Sequence, residues 1–565
     1  MKTLMKRGLT AALVTSLLLS AAACSGSSGS TTAQSGDSSG GSAASTDAAA
    51  QTSGESSSEG VTLHILGPET SNPYIHFADR EKYSTWQAFK KLFEERGINP
   101  EFEIVASDQY KTTIQTRMAS GSNLPDFAQV SSLDDSSIMN YVNMGQFLSI
   151  TQLMEEGDGT AKAFFETGKG KLSNTLNTTE DGNAYWISQI QATTYDGKPA
   201  STSMVVNIRQ DWLDKIGQSL PTTADEFYQA LKAMQDQDVN GNGQKDEVLA
   251  FNPASFQNGI AQWFGLVTDI TSFVIEDAKV TSPWYQDGIK DYFKFLNKLA
   301  SENLMDTSLI GLTTDDQLDQ RIAENKASAI FTYAMQTWYE PSVAAEGASY
   351  QPLAPLQAAE GITPVNAIEP PNLSYGKWVF TKAVTDQTAA AALLDLLCSE
   401  DYQTLTQWGI EGETYEVVDG ENQLKDIALN ASWEQAASEG KAIGDALWAN
   451  GSMFPKRRFV PMENEISVVP ENKAEFQKEI IEYSPTVPLG NENYLPVMTS
   501  EQVETRLGII TDLKTRSEEL ATQLILGQAS LDNWDSYIEE LQALGLDQLI
   551  EIDQSRLDRY MASLK

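Results

Sequence analysis

From Val61 to Val130 short apolar runs alternate with helical stretches, and this order limits the fold more than any other feature of the chain. Val61 to Leu66 (VTLHIL) reads as a strand. Thr85 to Glu95 carries Trp86, Phe89, Leu92 and Phe93 at the spacing of an amphipathic helix, stopped by Gly97. Phe102 to Val105 is a second strand, Tyr110 to Ala119 a second helix, and Phe127 to Val130 a third strand after Pro125 and Asp126. Strands separated by helices predict parallel pairing with helices on the sheet faces, an α/β lobe. About 500 residues follow Val61, more than one hydrophobic core serves, so two large lobes are expected.

The first 60 residues read differently. Lys2, Lys6 and Arg7 precede an apolar stretch from Leu9 to Leu19, and Ala21, Ala22 and Ala23 lead to Cys24. That is the layout of a secretory signal, residues 1–23. A cysteine directly after small residues resembles a bacterial lipobox, in which the thiol is lipidated and becomes the mature N-terminus, although Ala21 stands where Leu is usual. Simple cleavage is the alternative. Residues 24–60 then form a lipidated cysteine and a Ser/Gly/Ala tether, a composition that cannot bury a core and reaches about 30–35 Å as a flexible coil. The other cysteine, Cys398, lies on the apolar face of a predicted helix (AAALLDLLCSE) and reads as a buried thiol.

Charge and residue inventory exclude several functions. Lys and Arg number 39 against 78 Asp and Glu, and the formal charge of −39 repels nucleic acid and anionic lipid. Only two histidines are present, His64 and His76, so a histidine-built zinc site and a Ser-His-Asp triad have almost no material. His64, inside the first strand, is expected to be packed. Neither an H-E-x-x-H nor a P-loop sequence occurs, and the single G-x-S-x-G, Gly36 to Gly40, lies in the Ser/Gly/Ala tract. Paired carboxylates stay open among so many acids, so a secreted glycoside hydrolase is the alternative from another class.

Residues 236–249, DQDVNGNGQKDEVL, place Asp238, Asn240, Asn242, Asp246 and Glu247 in a calcium-loop pattern, with Gly243 where such a loop turns sharply. The preceding helix, 221–235, opens on Thr223 with Glu226 three residues on, a capping box. The following VLAFN reads as extended, and Leu249 occupies the twelfth place instead of Glu. The loop therefore predicts a structural clamp rather than half of a paired switch.

The stretches VVNIRQDWLDKIG (205–217), PTTADEF (221–227), DVNGNGQKDE (238–247), CSEDYQTLTQWGIEGETYE (398–416) and ILGQASLDNWDSYIEELQALGLDQLIEIDQSRLDRY (525–560) together resemble the extracellular solute-binding lipoproteins of ABC carbohydrate importers, in particular oligosaccharide-, aldouronate- and alginate-binding members. The resemblance implies a two-lobed, type II periplasmic-binding-protein-like fold whose lobes, joined by crossover strands, close on a sugar. It implies a first lobe in 61–190, a second in 191–370, a return to the first in 371–412, and the remainder of the second with bracing helices in 413–565. It also implies a calcium ion held by Asp238, Asn240, Asn242, the Gln244 carbonyl, Asp246 and Glu247. A monomer, lipid-anchored on the outer face of the cell membrane, that delivers its sugar to two permease subunits without chemistry of its own is the expected function. A receptor that reports the sugar to a membrane sensor is the alternative within the class.

A pyranose presents apolar C–H faces and a rim of hydroxyls, so its site needs flat aromatics and planar polar groups. Candidates placed in loops or at strand ends are Asn72, Tyr74, Asp126, Trp186, Trp263, Trp338, Tyr375 and Trp378. Arg457 suits a carboxylated sugar through bidentate pairing. Trp86 and Trp534, on amphipathic helices, read as core.

Overall fold

The computed structural model describes residues 60–69, 76–191, 194–195, 198–199, 204–251, 259–266, 273–310, 316–333, 345–368, 372–425, 454–455, 457–458, 478, 486–488 and 495–563. Cys24, the signal and the tether lie outside the described residues, as do Asn72, Tyr74 and Trp338. Arg457 is described by its backbone alone.

The strands of the two larger sheets are, in chain order, β1 (Val61–Pro68), β2 (Ile98–Val105), β3 (Phe127–Gln129), β4 (Ile187–Gln191), β5 (Met204–Arg209), β6 (Val248–Ala250), β7 (Ala327–Tyr333), β8 (Tyr350–Pro352), β9 (Asn372–Phe380) and β10 (Arg457–Arg458). The helices that matter below are α1 (Ser84–Glu95), α2 (Ser107–Ser120), α3 (Asp135–Asn143), α4 (Ala224–Asp236), α5 (Ile289–Ser301), α6 (Gln387–Cys398), α7 (Glu400–Trp408), α8 (Ser500–Ile525), α9 (Trp534–Ala543) and α10 (Leu546–Ser563).

The first sheet runs β10-β4-β9-β3-β1-β2. β1 pairs in parallel with β2 and β3, as the alternating sequence predicts. β9 enters from far along the chain and lies antiparallel between β3 and β4. Alternation along β1 buries Leu63 and Ile65 and turns His64 outward, where its Nδ1 meets Glu101 at 3.1 Å. His64 is thus not the packed residue expected.

One face of this sheet buries Trp86, Phe89 and Phe93 of α1 against Leu393, Leu394 and Leu397 of α6, with Cys398 buried beside them. The other face packs Tyr110, Ile114 and Met118 of α2 with Ile138 and Met139 of α3. A crossing from the C-terminal part of the chain, residues 454–458, adds to the lobe. Phe454 is buried among Phe89, 5.1 Å away, and Phe127, stacked at 5.8 Å, and β10 beside it adds a parallel edge to β4. Segment 413–565 is therefore not wholly part of the second lobe, because its aromatic and its strand are needed to cover the first.

The second sheet runs β8-β5-β7-β6, with β6 and β7 parallel and the others antiparallel. Its core gathers Trp212, Phe227, Leu231, Tyr292, Phe293 and Leu296 from the helices that cover it. The α4 cap forms with one change: Thr223 accepts the Glu226 N–H at 3.2 Å, but the Glu226 carboxylate reaches back to the N–H and hydroxyl of Thr222, each at 2.8 Å.

The C-terminal helices, expected to brace one lobe, brace both. Val503 of α8 and Ile552 of α10 join the first-lobe cluster, while Ile509, Leu513, Leu520 and Leu524 of α8 and Leu549 of α10 join the second. A full capping box, Thr499 with Gln502, starts α8. Inside this joint Arg556 is buried, donating to Asp553 at 2.8 Å and to the Pro496 carbonyl at 2.8 Å, so the cation is fully engaged.

Truncating Phe454 to Ala leaves a cavity within an aromatic cluster and is expected to lower the unfolding free energy by about 3–5 kcal/mol, read by denaturant unfolding. A loss below about 1 kcal/mol contradicts a covering role for the late crossing in the first lobe.

Candidate functional site

Parallel strands deliver their carboxyl ends to one edge of a sheet, and ligands of open α/β folds bind outside that edge. Here β3 ends at Gln129, and the chain passes through Val130 to Leu133 into α3. The N-cap of α3, Asp134, accepts the Ser137 N–H at 2.8 Å. β9 starts on the same edge. Between them and the N-terminal half of α8 lies a cavity of about 1190 Å3. That volume exceeds the usual range for a small-molecule pocket and accommodates an extended polar ligand.

The sequence S-Y-G-K-W at 374–378 shapes its wall. Pairing of β9 with β4 slips between Tyr375 and Trp378, a bulge, and Gly376 takes φ +64°. A bulge bends its strand and re-aims the side chains around it. Tyr375 is consequently 50% exposed on the cavity side, while Trp378 is buried beneath. The glycine is required twice. Its φ is one that side chains rarely adopt, and an added Cβ meets the Trp378 ring at 2.6 Å.

Lys377 fastens this bulge to the loop after β3. Its N–H donates to Ser131 Oγ at 2.8 Å, its carbonyl accepts the Val130 N–H at 2.8 Å, and its ammonium reaches Asp135 Oδ1 at 2.9 Å. Burial works to raise the Asp135 carboxyl, but the Lys377 charge and hydrogen bond, with the Arg556 and Arg506 charges, outweigh it and hold Asp135 below the ordinary carboxylate range. Asp134 is held down as well: its burial is overcome by hydrogen bonds from Ser136 and Ser137.

The structure brings Tyr375 and Trp378 to this cavity and distributes the other candidates. Trp186 is buried behind the wall, donating its indole N–H to Asn177 at 2.9 Å with the Lys377 ammonium 5.8 Å from its ring. It supports Lys377 from beneath and is not a surface platform. Trp263 is packed edge-on against Phe227 in the second core, 5.0 Å between centroids, because its helix turns every residue inward. Asp126 stands at the amino end of β3, away from the cavity edge, where Oδ2 accepts the His64 N–H at 2.8 Å and ties β3 to β1. β10 sets Arg457 opposite Ile190, two strands from Tyr375. Residues missed from sequence are Gly376, Lys377 and Asp135; a lone glycine inside an alternating strand was the available signal for the bulge.

The Asp/Asn loop forms a second candidate site. Asp238, Gly241 and Gly243 take φ of +48°, +76° and +78°. The Asp238 carboxylate accepts the N–H groups of Asn242 at 3.1 Å and Gly243 at 2.9 Å, and Asn242 Oδ1 accepts that of Gln244 at 2.7 Å. Asp246 receives the side-chain amides of Asn240 at 3.0 Å and Asn242 at 2.9 Å. Glu247 is buried; Oε1 accepts the Asn240 N–H at 3.2 Å, and Oε2 has no hydrogen-bond partner. Burial raises its carboxyl above the ordinary range, two backbone N–H groups oppose this, and the Asp246 and Asp238 charges add to it.

Among the described residues no three His, Cys, Asp or Glu side chains form a metal cluster by themselves. Carboxylates, asparagine carbonyls and a main-chain carbonyl together make an all-oxygen donor set, and a buried carboxylate oxygen without a donor fits a hard cation. Leu249 at the twelfth place is buried in β6, so the loop joins a helix to a strand.

Gly376→Ala is expected to cost about 1–3 kcal/mol of stability, from the strained φ and the forced displacement of Trp378, with a blue or red shift of tryptophan emission; an unchanged denaturant midpoint contradicts the bulge geometry.

A protein-family model for bacterial extracellular solute-binding proteins matches residues 87–414, more than half of the chain. The fructooligosaccharide ABC transporter substrate-binding protein FusA of Streptococcus pneumoniae is 23% identical over 539 residues, covering 91% of this chain and 94% of its own. Lipoprotein LipO of Bacillus subtilis is 23% identical over 392 residues, 66% of this chain and 70% of its own. The structure of FusA in complex with kestose superposes with a TM-score of 0.66 at 22% identity, over 89% of this chain and 100% of that one. The alginate-binding protein AlgQ2 without calcium ion gives 0.63 at 20% identity, over 88% and 98%. A FusA EF-hand mutant with fructo-nystose also matches, at 0.65 and 20% identity, over 89% of this chain and 100% of that one. These likenesses establish the two-lobed, type II periplasmic-binding-protein-like fold, and the chain belongs to the bacterial extracellular solute-binding protein family.

Proposed function

We propose that this chain captures an oligosaccharide in the cleft between its lobes and hands it, unaltered, to the permease subunits of an ABC importer. The observation that carries the reading is the wall at the carboxyl end of β3: an exposed Tyr375 raised on the Gly376 bulge, backed by Trp378 and surrounded by amides and hydroxyls. An aromatic face for C–H groups beside planar donors and acceptors is what a sugar ring requires. FusA, which matches nearly the whole chain, is a substrate-binding protein of the same kind.

Binding is hinge closure. A ligand that touches both lobes has higher affinity for the closed form and shifts the population toward it. Asp134 and Asp135, at the mouth of α3, are both held low, the reverse of the raised carboxyl a glycosidase uses as its acid.

The all-oxygen loop holds a calcium ion in this reading, with Asp238, Asn240, Asn242, Asp246 and Glu247 through side chains and Gln244 through its carbonyl. The ion supplies a fixed positive charge that satisfies the buried Glu247 carboxylate and fastens the end of α4 to β6. Lipidation of Cys24 anchors a monomer to the outer face of the cell membrane, and the tether lets the lobes reach the permease; the likeness to Lipoprotein LipO supports the anchor.

Thermal unfolding of the full-length chain in mild detergent, against an oligosaccharide panel, tests the reading. A ligand at 100 times its dissociation constant adds about 2.7 kcal/mol, and the sugar is recovered uncleaved. Tyr375→Ala is expected to abolish that shift; no shift with any oligosaccharide, or a hydrolysed sugar, ends the proposal. Separately, a chelator is expected to lower the midpoint and calcium to restore it, with Glu247→Gln blunting the restoration. A midpoint indifferent to chelator removes the calcium claim alone.

A further inference from the structure

The charges of the cleft wall bear on the ligand in a way that neither the family nor the fold supplies. Among the described residues the cavity is lined by three carboxylates, Asp134, Asp135 and Glu504, against two cations, Lys377 and Arg506. The cations are already engaged. Lys377 Nζ lies 2.9 Å from Asp135 with its side chain only 13% exposed. Arg506, on α8, also has an interaction within the protein, and its charge favours the ionised Asp135 carboxylate. The remaining polar lining is neutral: Gln129, Asn140, Asn143 and Gln189 supply amides, and four serines and Thr511 supply hydroxyls.

Recognition of a uronate needs a guanidinium or ammonium free to pair with its carboxylate, since an unpaired charge in a closed, desolvated cleft is costly. This wall offers an excess of negative charge instead. The field of a chain with formal charge −39 adds repulsion at long range. Resting on the oligosaccharide reading above, we infer that the cleft selects electrically neutral oligosaccharides and rejects their uronic-acid counterparts, with the Asp135–Lys377 pair as the element that sets this preference. The pair holds the Lys377 ammonium at Asp135, beside the Trp186 ring, and so removes it from ligand recognition. The carboxylated sugar that Arg457 suggested from sequence is the opposite expectation, and β10 carries that residue on the far side of β4.

The test is calorimetric titration of the full-length chain with the neutral oligosaccharide that gives the largest thermal shift and with its uronic-acid analogue of equal length, at low and at physiological salt. The neutral sugar is expected to bind at least tenfold more tightly at both. Asp135→Asn should narrow the ratio at least threefold by releasing Lys377. Lys377→Gln should widen it. If Asp135→Asn does not fold, the wild-type ratio and the Lys377→Gln ratio decide. An acidic sugar bound as tightly as the neutral one, or more tightly with an affinity that falls as salt rises, overturns the inference and leaves the oligosaccharide reading standing. Binding of neither sugar overturns both.

Discussion

Strand β9 has to satisfy two neighbours at once, and the first lobe depends on how it does so. On one side it pairs antiparallel with β3 in register, Trp378 opposite Gln129 and Phe380 opposite Phe127. On the other it meets β4 with two shifts of register. A regular strand cannot serve both edges, and the second of the two shifts, between Tyr375 and Trp378, is absorbed at Gly376, the residue able to take the required φ. The same local adjustment turns Tyr375 toward the cavity and lays Trp378 beneath it. Sheet closure and the shape of the binding wall are therefore one problem with one solution.

The charged groups around that wall reinforce it. Ser131, Val130 and Asp135 all bond to Lys377, so the loop after β3 and the bulge of β9 move as a unit. Trp186, held by Asn177, supports the same lysine from within, and Asn177 also accepts the Ser374 hydroxyl at 2.8 Å. Buried polar networks that are fully bonded fix a single arrangement of side chains. On the opposite wall, α8 presents Leu507, 55% exposed, while its neighbours are divided between the two cores. A helix packed on both lobes is placed to feel any change in the angle between them.

Much of this was legible in the chain. The order of β1, α1, β2, α2 and β3 follows from apolar periodicity, because each element buries one face and shows it. The Asp/Asn loop was legible because its oxygen donors recur at fixed spacing. Aromatic roles were not. Trp186, Trp263 and Tyr375 have similar sequence surroundings, yet two are buried and one is half exposed, since burial is decided by partners such as Phe227 and Asn177 distant in sequence. Asp126 was misplaced for a related reason: a polar residue beside a strand belongs to either end of the sheet, and only pairing with His64 tells which. Phe454 and β10 return to the first lobe without any local signal, because two residues of strand carry no period.

The insertion of β9 also dictates a schedule for the chain's birth. β3 and its partner β9 are separated by roughly 250 residues, so loop closure of that length must precede completion of the sheet. Emerging from its amino end, the polypeptide first produces β1, β2 and β3, and the outer edge of the short β3 stays bare until two thirds of the protein has appeared. An open edge of this kind invites pairing with other chains. The first lobe thus has the longest wait for its centre, and the stretch between residues 130 and 372 is the interval over which its sheet is incomplete.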